Sequence, residues 1–178
     1  MQDKGQGASI VAGTLQLHRG NILDITCDVI VNAANSSLMG GGGVDGAIHK
    51  AAGPELKEAC KPLAPCPTGE VRVTDGFGVG DRLIFHTVGP VWRGGDQGEA
   101  ELLKACYSHS LNELLKRELS SIAFPAISTG AYGFPANEAA GIAVSVCRDY
   151  IETHPLTITL AAFDETNATA IKAALNQP

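Results

Sequence analysis

The sequence lacks any run of about 20 apolar residues, so no segment has the length and hydrophobicity of a transmembrane helix. Its first residues, MQDKGQGAS, contain no apolar signal core, which favours a cytoplasmic location. Positive charge is also scarce, because 13 lysines and arginines face 19 aspartates and glutamates, for a net charge of −6. This balance disfavours direct binding of nucleic acid, whose phosphates require a basic surface.

Cysteine is scarce and scattered, and this excludes two further classes of protein. The five cysteines form no CxxC pair and no cluster with histidine, so neither a zinc site nor a disulfide framework is indicated. We expect reduced thiols and no bound metal. The length of 178 residues suits one domain, residues 1–178, with residues 1–8 as a loose N-terminal tail.

Six apolar runs predict β-strands at residues 14–18, 28–33, 71–74, 83–88, 121–127 and 157–163. Several are almost continuously apolar, as in VIV, LIF and SIAFPAI, which is typical of strands buried on both faces. Helical patterns lie between them, at residues 44–52, just after Gly53-Pro54, and at residues 99–117, 137–153 and 167–175, with Asn137 as an N-cap. The alternation predicts an α/β fold with a mostly parallel central sheet and helices on both faces.

The most informative segment, residues 29–52, reads VIVNAANSSLMGGGGVDGAIHKAA. A strand leads into four consecutive glycines, and a helix with Asp45 in its first turn follows. Main-chain N–H groups in such a loop can surround an anion, and the helix N-terminus adds partial positive charge. The pattern indicates a diphosphate-bearing ligand whose reacting group lies near Asp45. A flexible turn without ligand is the weaker alternative, because ordering four glycines costs entropy that contacts must offset.

Two familiar phosphate motifs do not account for this loop. Gly41, Gly43 and Gly46 fit the pattern GxGxxG, but the residues SSLM separate the glycines from the strand, unlike in a dinucleotide-binding unit. The Lys-Ser/Thr pair of a P-loop is missing, since Val44 and Asp45 follow the glycines. Neither motif therefore identifies the ligand of this loop.

The order of strand, loop and helix start occurs a second time. Residues 128–135, which read STGAYGFP, form a loop between the predicted strand at residues 121–127 and the predicted helix at residues 137–153. This loop can hold the other side of the same diphosphate. Tyr132, flanked by Gly130 and Gly133, is interpreted as a ligand contact, and Phe134 as a packing anchor. Both loops follow strands, and ligands of open α/β sheets bind beyond the carboxyl ends of the strands.

Together these segments closely resemble the macrodomain family and, within it, the MacroD-type ADP-ribosyl hydrolases. The resemblance runs from Gly20 to Asn167 and is carried by GNI, VNAAN, GGGGVDGAIH, CPTG, HTVGP and STGAYG, in that order. It implies a three-layer α/β/α fold with a mixed, mostly parallel sheet. It also implies an ADP-ribose pocket that needs no metal and no further cofactor.

The resemblance assigns a role to each position of this pocket. The two loops would grip the diphosphate, Asn35 would hold the distal ribose beside Asp45, and Phe163 would stack on adenine. The catalytic assignments are Asn35, Asp45 and Tyr132. The substrate-binding assignments are Asn21, Ile22, Ala34, Gly40, Gly41, Gly42, Gly43, Val44, Ser128, Thr129, Gly130, Ala131 and Phe163.

One position departs from the family pattern. The family usually has an aspartate where this chain has Asn21, and that carboxylate accepts a hydrogen bond from the adenine amino group. The uncharged amide oxygen of Asn21 can still accept, with a hydrogen bond roughly half as strong. Asp24 stands three residues too late to replace it.

The implied reaction is hydrolysis of an ester between an acyl group and a ribose hydroxyl of ADP-ribose. The substrates would be proteins that carry mono-ADP-ribose on acidic side chains, or O-acetyl-ADP-ribose. Asp45 would orient or deprotonate the attacking water, unless a substrate phosphate is the base. The helix N-terminus favours the Asp45 carboxylate, whereas a bound diphosphate disfavours it. His49 and His86 are interpreted as structural histidines with satisfied hydrogen bonds.

Other functions remain open at this point. A reader module would bind ADP-ribose on proteins without cleaving it, and a regulator of an RNA-processing enzyme would act through a protein partner. Asp45 as a helix cap and Asn35 as a turn residue are the purely structural alternatives. Asn35, the four glycines and the pair Asp45-Gly46 occurring together favour hydrolysis. We further expect a monomer that interacts with neither membranes nor nucleic acid.

Overall fold

A computed structural model describes residues 11–178, so the expected tail at residues 1–8 lies outside the described residues. Within that range the strands are β1 (Thr14–Arg19), β2 (Val29–Ala34), β3 (Val71–Asp75), β4 (Leu83–Val88), β5 (Ser121–Phe124) and β6 (Thr157–Ala162). The helices are α1 (Gly43–Ala52), α2 (Pro54–Cys60), α3 (Glu99–Lys116), α4 (Ala136–Thr153) and α5 (Glu165–Asn176). Short 3₁₀ turns occur at Ile22–Asp24, Lys61–Leu63 and Phe77–Val79.

The strands form one sheet in the order β1-β6-β5-β2-β4-β3. All neighbouring strands are parallel except β3 and β4, which are antiparallel at one edge. An apolar core joins α3, α4 and α5 to one face, and a second core joins α1 and α2 to the other. Both faces of a parallel sheet need such cover. The structure confirms the three-layer α/β/α fold with a mixed sheet.

A proline explains why β5 is shorter than its apolar run. The strand ends at Phe124 rather than at the predicted Ile127. Pro125 follows directly, and it has no N–H group with which to continue the ladder of hydrogen bonds. The remaining apolar residues of the run therefore enter the loop that borders the site.

Helix starts also differ from their predicted positions. α4 begins at Ala136 with Pro135 at the N-cap position, so the prediction of Asn137 as the N-cap is wrong. The ring of Pro135 fixes its φ near the helical value, and its missing N–H needs no partner there. α5 begins two residues earlier than predicted, because the side chain of Asp164 accepts a hydrogen bond from the N–H of Asn167 (2.8 Å) and caps it.

One buried carboxylate organises the loop before α3. Glu99, only 2% exposed, accepts hydrogen bonds from the main-chain N–H groups of Arg93 (3.0 Å), Gly95 (2.8 Å) and Gln97 (2.7 Å). These hydrogen bonds, that of Arg93 first, lower the pKa of Glu99 to about 2. The ionised form of Glu99 therefore stabilises the folded state.

We expect Glu99→Gln to lower the free energy of unfolding at pH 7. Because the pKa of Glu99 falls from its usual 4.5 to about 2 on folding, its contribution is complete above pH 4.5 and is lost as the pH falls towards 2. Urea unfolding over this range should show the difference between wild type and variant shrinking with acidification. Glu101→Gln, at an exposed residue paired with Lys104, is the control with little effect. A difference that does not change with pH would contradict the assignment.

Candidate functional site

A cleft of about 600 Å³ opens at the carboxyl edge of the parallel strands. Its walls come from segments that follow β1, β2, β4, β5 and β6, so nearly the whole sheet contributes to one place. This is the edge at which open α/β sheets bind ligands. All of the predicted site residues line the cleft except Gly40.

Gly40 shapes the first loop instead of lining the cleft, in contrast to the prediction. Its carbonyl oxygen accepts a hydrogen bond from Asn35 Nδ2 (3.0 Å), and a Cβ built on Gly40 would lie 3.5 Å from the ring of His49. Its φ of +93° lies in the left-handed region that glycine adopts without strain. Gly40 thus turns the chain so that the next three glycines face the cleft.

Those three glycines line the cleft at the N-terminus of α1. Gly42 is the N-cap of α1 and offers no side chain to the first N–H groups of the helix. Within residues 11–178, no hydrogen bond occupies the main-chain N–H of Gly41, Gly42 or Gly43. Unpaired N–H groups beside a helix N-terminus are suited to bind a phosphate.

The second loop is fixed by close packing. Ser128 has a left-handed φ of +66°, and its buried Oγ sits directly against Gly89, where any Cβ would clash with it. Tyr132 borders the cleft, and its carbonyl accepts a hydrogen bond from the N–H of Trp92 (2.8 Å). The ring of Phe134, only 2% exposed, packs on Trp92 with centroids 4.7 Å apart. Phe134 is therefore the packing anchor that was predicted.

Asp45 combines burial with a place on the cleft wall. It is 5% exposed, its Oδ1 accepts a hydrogen bond from Asn32 Nδ2 (2.8 Å), and His49 Nε2 lies 3.4 Å from the same oxygen. Burial raises the pKa of Asp45 above its usual 3.8, against the opposing effects of Asn32 and His49. A Cβ built on Gly41 would lie 3.2 Å from Asp45 Oδ2 and 3.5 Å from Asn35 Nδ2. Asp45 and Asn35 therefore converge on the space above Gly41.

The two histidines near Asp45 differ from each other. His86 Nδ1 lies 3.1 Å from Asn32 Nδ2 and its Nε2 lies 2.9 Å from Thr74 Oγ1, so both ring nitrogens have partners. Burial lowers the pKa of His86 to about 4. His49 Nε2, in contrast, is buried without a hydrogen-bond partner among the described residues. The satisfied hydrogen bonds predicted for both histidines are present in His86 and are missing at Nε2 of His49.

The other end of the cleft carries an exposed aromatic ring. Phe163 follows β6 and is 86% exposed, as suits a surface on which a flat base can stack. Nearby, Asn21 Oδ1 accepts a hydrogen bond from the N–H of Leu23 (3.0 Å) and caps a 3₁₀ turn. The side-chain oxygen that the family resemblance assigns to adenine is thus shared with the main chain. Asp164 and Asn167, which the sequence did not single out, line the same end.

The comparisons with known proteins agree with this geometry. A sequence model described as Macro domain matches residues 31–143. The chain belongs to the macrodomain family. Its sequence is 50% identical over 165 residues to a macro domain-containing protein of Methanosarcina mazei, covering 92% of this chain and 88% of that one. It is also 50% identical over 165 residues to an O-acetyl-ADP-ribose deacetylase of Escherichia fergusonii, covering 89% and 93% of the two chains.

A solved structure gives the same family. The Oceanobacillus iheyensis macrodomain with ADP superposes with a TM-score of 0.89 at 44% identity, covering 94% of this chain and 93% of that one. A mutant of that macrodomain, described with ADPR, gives a TM-score of 0.87. The likeness extends over almost the whole described chain.

Asn32, which lies behind the cleft and donates a hydrogen bond to Asp45, is a further residue that the sequence did not single out. It is fully buried in β2, and the parallel register places it beside His86 of β4. Its Oδ1 has no hydrogen-bond partner within the described range. A signal existed, because one polar residue interrupts each of two apolar strands, VIVNAA and LIFHTV, and the two lie at matching positions. Buried polar groups need partners, so these two residues should be neighbours.

The described residues contain neither a metal-binding cluster nor a membrane-spanning helix. In residues 11–178, no three side chains of His, Cys, Asp or Glu come together as a metal site would require. The same part of the chain has no helix whose length and apolar character would allow it to cross a bilayer. The five cysteines are free thiols.

Proposed function

We propose that this macrodomain binds ADP-ribose in the cleft and hydrolyses acyl esters of its distal ribose. The substrates are proteins that carry mono-ADP-ribose on acidic side chains, and O-acetyl-ADP-ribose. One observation carries the proposal: the buried Asp45 carboxylate borders the cleft directly beside the four-glycine loop and Asn35. A relative named O-acetyl-ADP-ribose deacetylase and a related macrodomain described with ADPR support it.

The dimensions and chemistry of the cleft fit the parts of ADP-ribose in order. The diphosphate takes the free N–H groups of the glycine loop and faces the second loop. Adenine stacks on Phe163 at the outer end, and the distal ribose reaches the space between Asn35 and Asp45. The cleft volume of about 600 Å³ lies within the usual range for a site that encloses a nucleotide-sized ligand.

Ester hydrolysis needs a water molecule that attacks the acyl carbon and a proton that reaches the departing ribose oxygen. Asp45 orients the water, takes its proton and passes it to the ribose oxygen as the acyl–oxygen bond breaks, and burial makes its carboxylate a stronger base than an exposed one. Asn35 binds a ribose hydroxyl, and Tyr132 shapes the wall beside the reacting bond. The carbonyl carbon of the ester is the site of attack, so an N-glycosidic linkage is not a substrate.

Product analysis with three substrates tests the proposal. We expect release of free ADP-ribose from a glutamate-linked protein and acetate from O-acetyl-ADP-ribose, and no release from an arginine-linked protein. Calorimetry with ADP-ribose on the same preparation measures binding independently. Binding without release from either ester would instead favour the reader module, and absence of binding would refute the site.

A further inference from the structure

Behind Asp45 lies a series of buried polar groups that starts at the edge strand of the sheet. Thr74 on β3, His86 on β4 and Asn32 on β2 are all buried, and none of them lines the cleft. We refer to these three residues as the buried polar triad. Asn32 Nδ2 lies 2.8 Å from Asp45 Oδ1 and 3.1 Å from His86 Nδ1, and His86 Nε2 lies 2.9 Å from Thr74 Oγ1. Thr74 Oγ1 in turn donates to the carbonyl of Asp75 (3.0 Å).

The Thr74 hydroxyl determines which group donates and which accepts in each of these hydrogen bonds. The single hydroxyl hydrogen of Thr74 is given to the main chain, so its oxygen accepts from the Nε2–H of His86. A neutral imidazole carries one N–H, which leaves His86 Nδ1 as an acceptor. The NH₂ group of Asn32 then donates to both His86 and Asp45. The reverse amide orientation would place an oxygen 2.8 Å from the Asp45 carboxylate.

We propose that Thr74 and His86 are positioning residues for Asp45. The hydroxyl on the edge strand selects the tautomer of His86, the tautomer selects the orientation of the Asn32 amide, and that amide holds the Asp45 carboxylate ionised at the cleft wall. The inference rests on the proposed function, in which Asp45 acts on the substrate. The low pKa of His86, about 4, keeps the ring neutral and hence able to accept from Asn32.

Removing the Thr74 hydroxyl should reverse the direction of the hydrogen bonds that lead from Thr74 to Asp45. In Thr74→Val the Nε2–H of His86 loses its acceptor, and within residues 11–178 its one other polar contact is Cys60 Sγ at 3.9 Å. The proton then moves to Nδ1, and the Asn32 amide turns its oxygen towards both His86 and Asp45. Loss of that N–H donor raises the pKa of Asp45. The other titratable groups around Asp45 are His49 on α1 and Cys60 on α2. The substitution alters neither of these residues.

Thr74→Val and Thr74→Ser form the decisive pair, because only serine keeps the hydroxyl. We expect Thr74→Val to lower kcat for O-acetyl-ADP-ribose about tenfold with KM within about twofold, as for loss of one hydrogen bond to a charged group. The acid limb of its pH profile should move to higher pH. Thr74→Ser should retain both the wild-type kcat and the wild-type profile. Equal behaviour of the two variants would overturn the proposal.

NMR provides a readout that does not depend on turnover. The ring ¹⁵N shifts of His86 should show the Nε2–H tautomer in wild type and Thr74→Ser, and the Nδ1–H tautomer in Thr74→Val. A ¹³C titration of the Asp45 carboxyl should give a higher pKa in Thr74→Val than in Thr74→Ser. The Nδ1–H tautomer in wild type, or equal Asp45 pKa values in both variants, would refute the positioning role. Absence of turnover by wild type would refute the proposed function alone.

Discussion

Asp45→Asn should lose ester hydrolysis while still binding ADP-ribose. The asparagine has the same shape, and its oxygen can still accept the hydrogen bond from Asn32, but it cannot take a proton from water. We expect kcat for O-acetyl-ADP-ribose to fall by about 10²–10⁴-fold, the usual contribution of a positioned general base. Calorimetry should give an ADP-ribose affinity close to that of wild type, because the glycine loop and Phe163 are untouched.

A matched control and the pH profile make this result specific to Asp45. Asp149→Asn changes an exposed aspartate of α4 and should leave turnover unchanged. Since burial raises the pKa of Asp45 above 3.8, wild-type turnover should fall on acidification with a midpoint above that value. A kcat for Asp45→Asn within a few-fold of wild type would assign the role of base to a substrate phosphate.

The sequence was sufficient to predict the parts of the site that are local in the chain. The glycine loop, the first turn of α1 and the second loop each depend on residues within about one turn of one another, and local rules describe such segments. The layered fold followed from apolar runs that alternate with helical patterns. Boundaries were weaker, because Pro125 and Pro135 override the apolar and capping patterns around them.

Contacts between distant segments were not predictable from the same rules. Asn32 and Asp45 are thirteen residues apart, and Thr74 and His86 approach them only through the pairing of β3, β4 and β2. The register of strands depends on the whole sheet, so a local pattern cannot determine which polar residues meet. His49 shows the same limitation, since the surroundings of its Nε2, which has no hydrogen-bond partner among the described residues, depend on the final packing around Asp45.

Gly41→Val should obstruct the reaction centre while leaving the fold in place. The φ of Gly41 is not left-handed, so the main chain tolerates a side chain there. Its Cβ would lie 3.2 Å from Asp45 Oδ2 and 3.5 Å from Asn35 Nδ2, and the branched methyl groups would fill the space between them. We expect kcat/KM for O-acetyl-ADP-ribose to fall about 100-fold, because the distal ribose and the water can no longer be aligned.

Binding measurements locate the obstruction. ADP lacks the distal ribose, so its affinity for Gly41→Val should stay near that of wild type, whereas the affinity for ADP-ribose should fall. Gly141→Val is the matched control, since Gly141 is an exposed residue of α4 that does not line the cleft, and a Cβ there meets nothing within 4 Å. Thermal unfolding should give similar Tm values for both variants. If ADP and ADP-ribose lost affinity equally in Gly41→Val, the distal ribose would lie elsewhere, and Asp45 would lose its place beside the reacting bond.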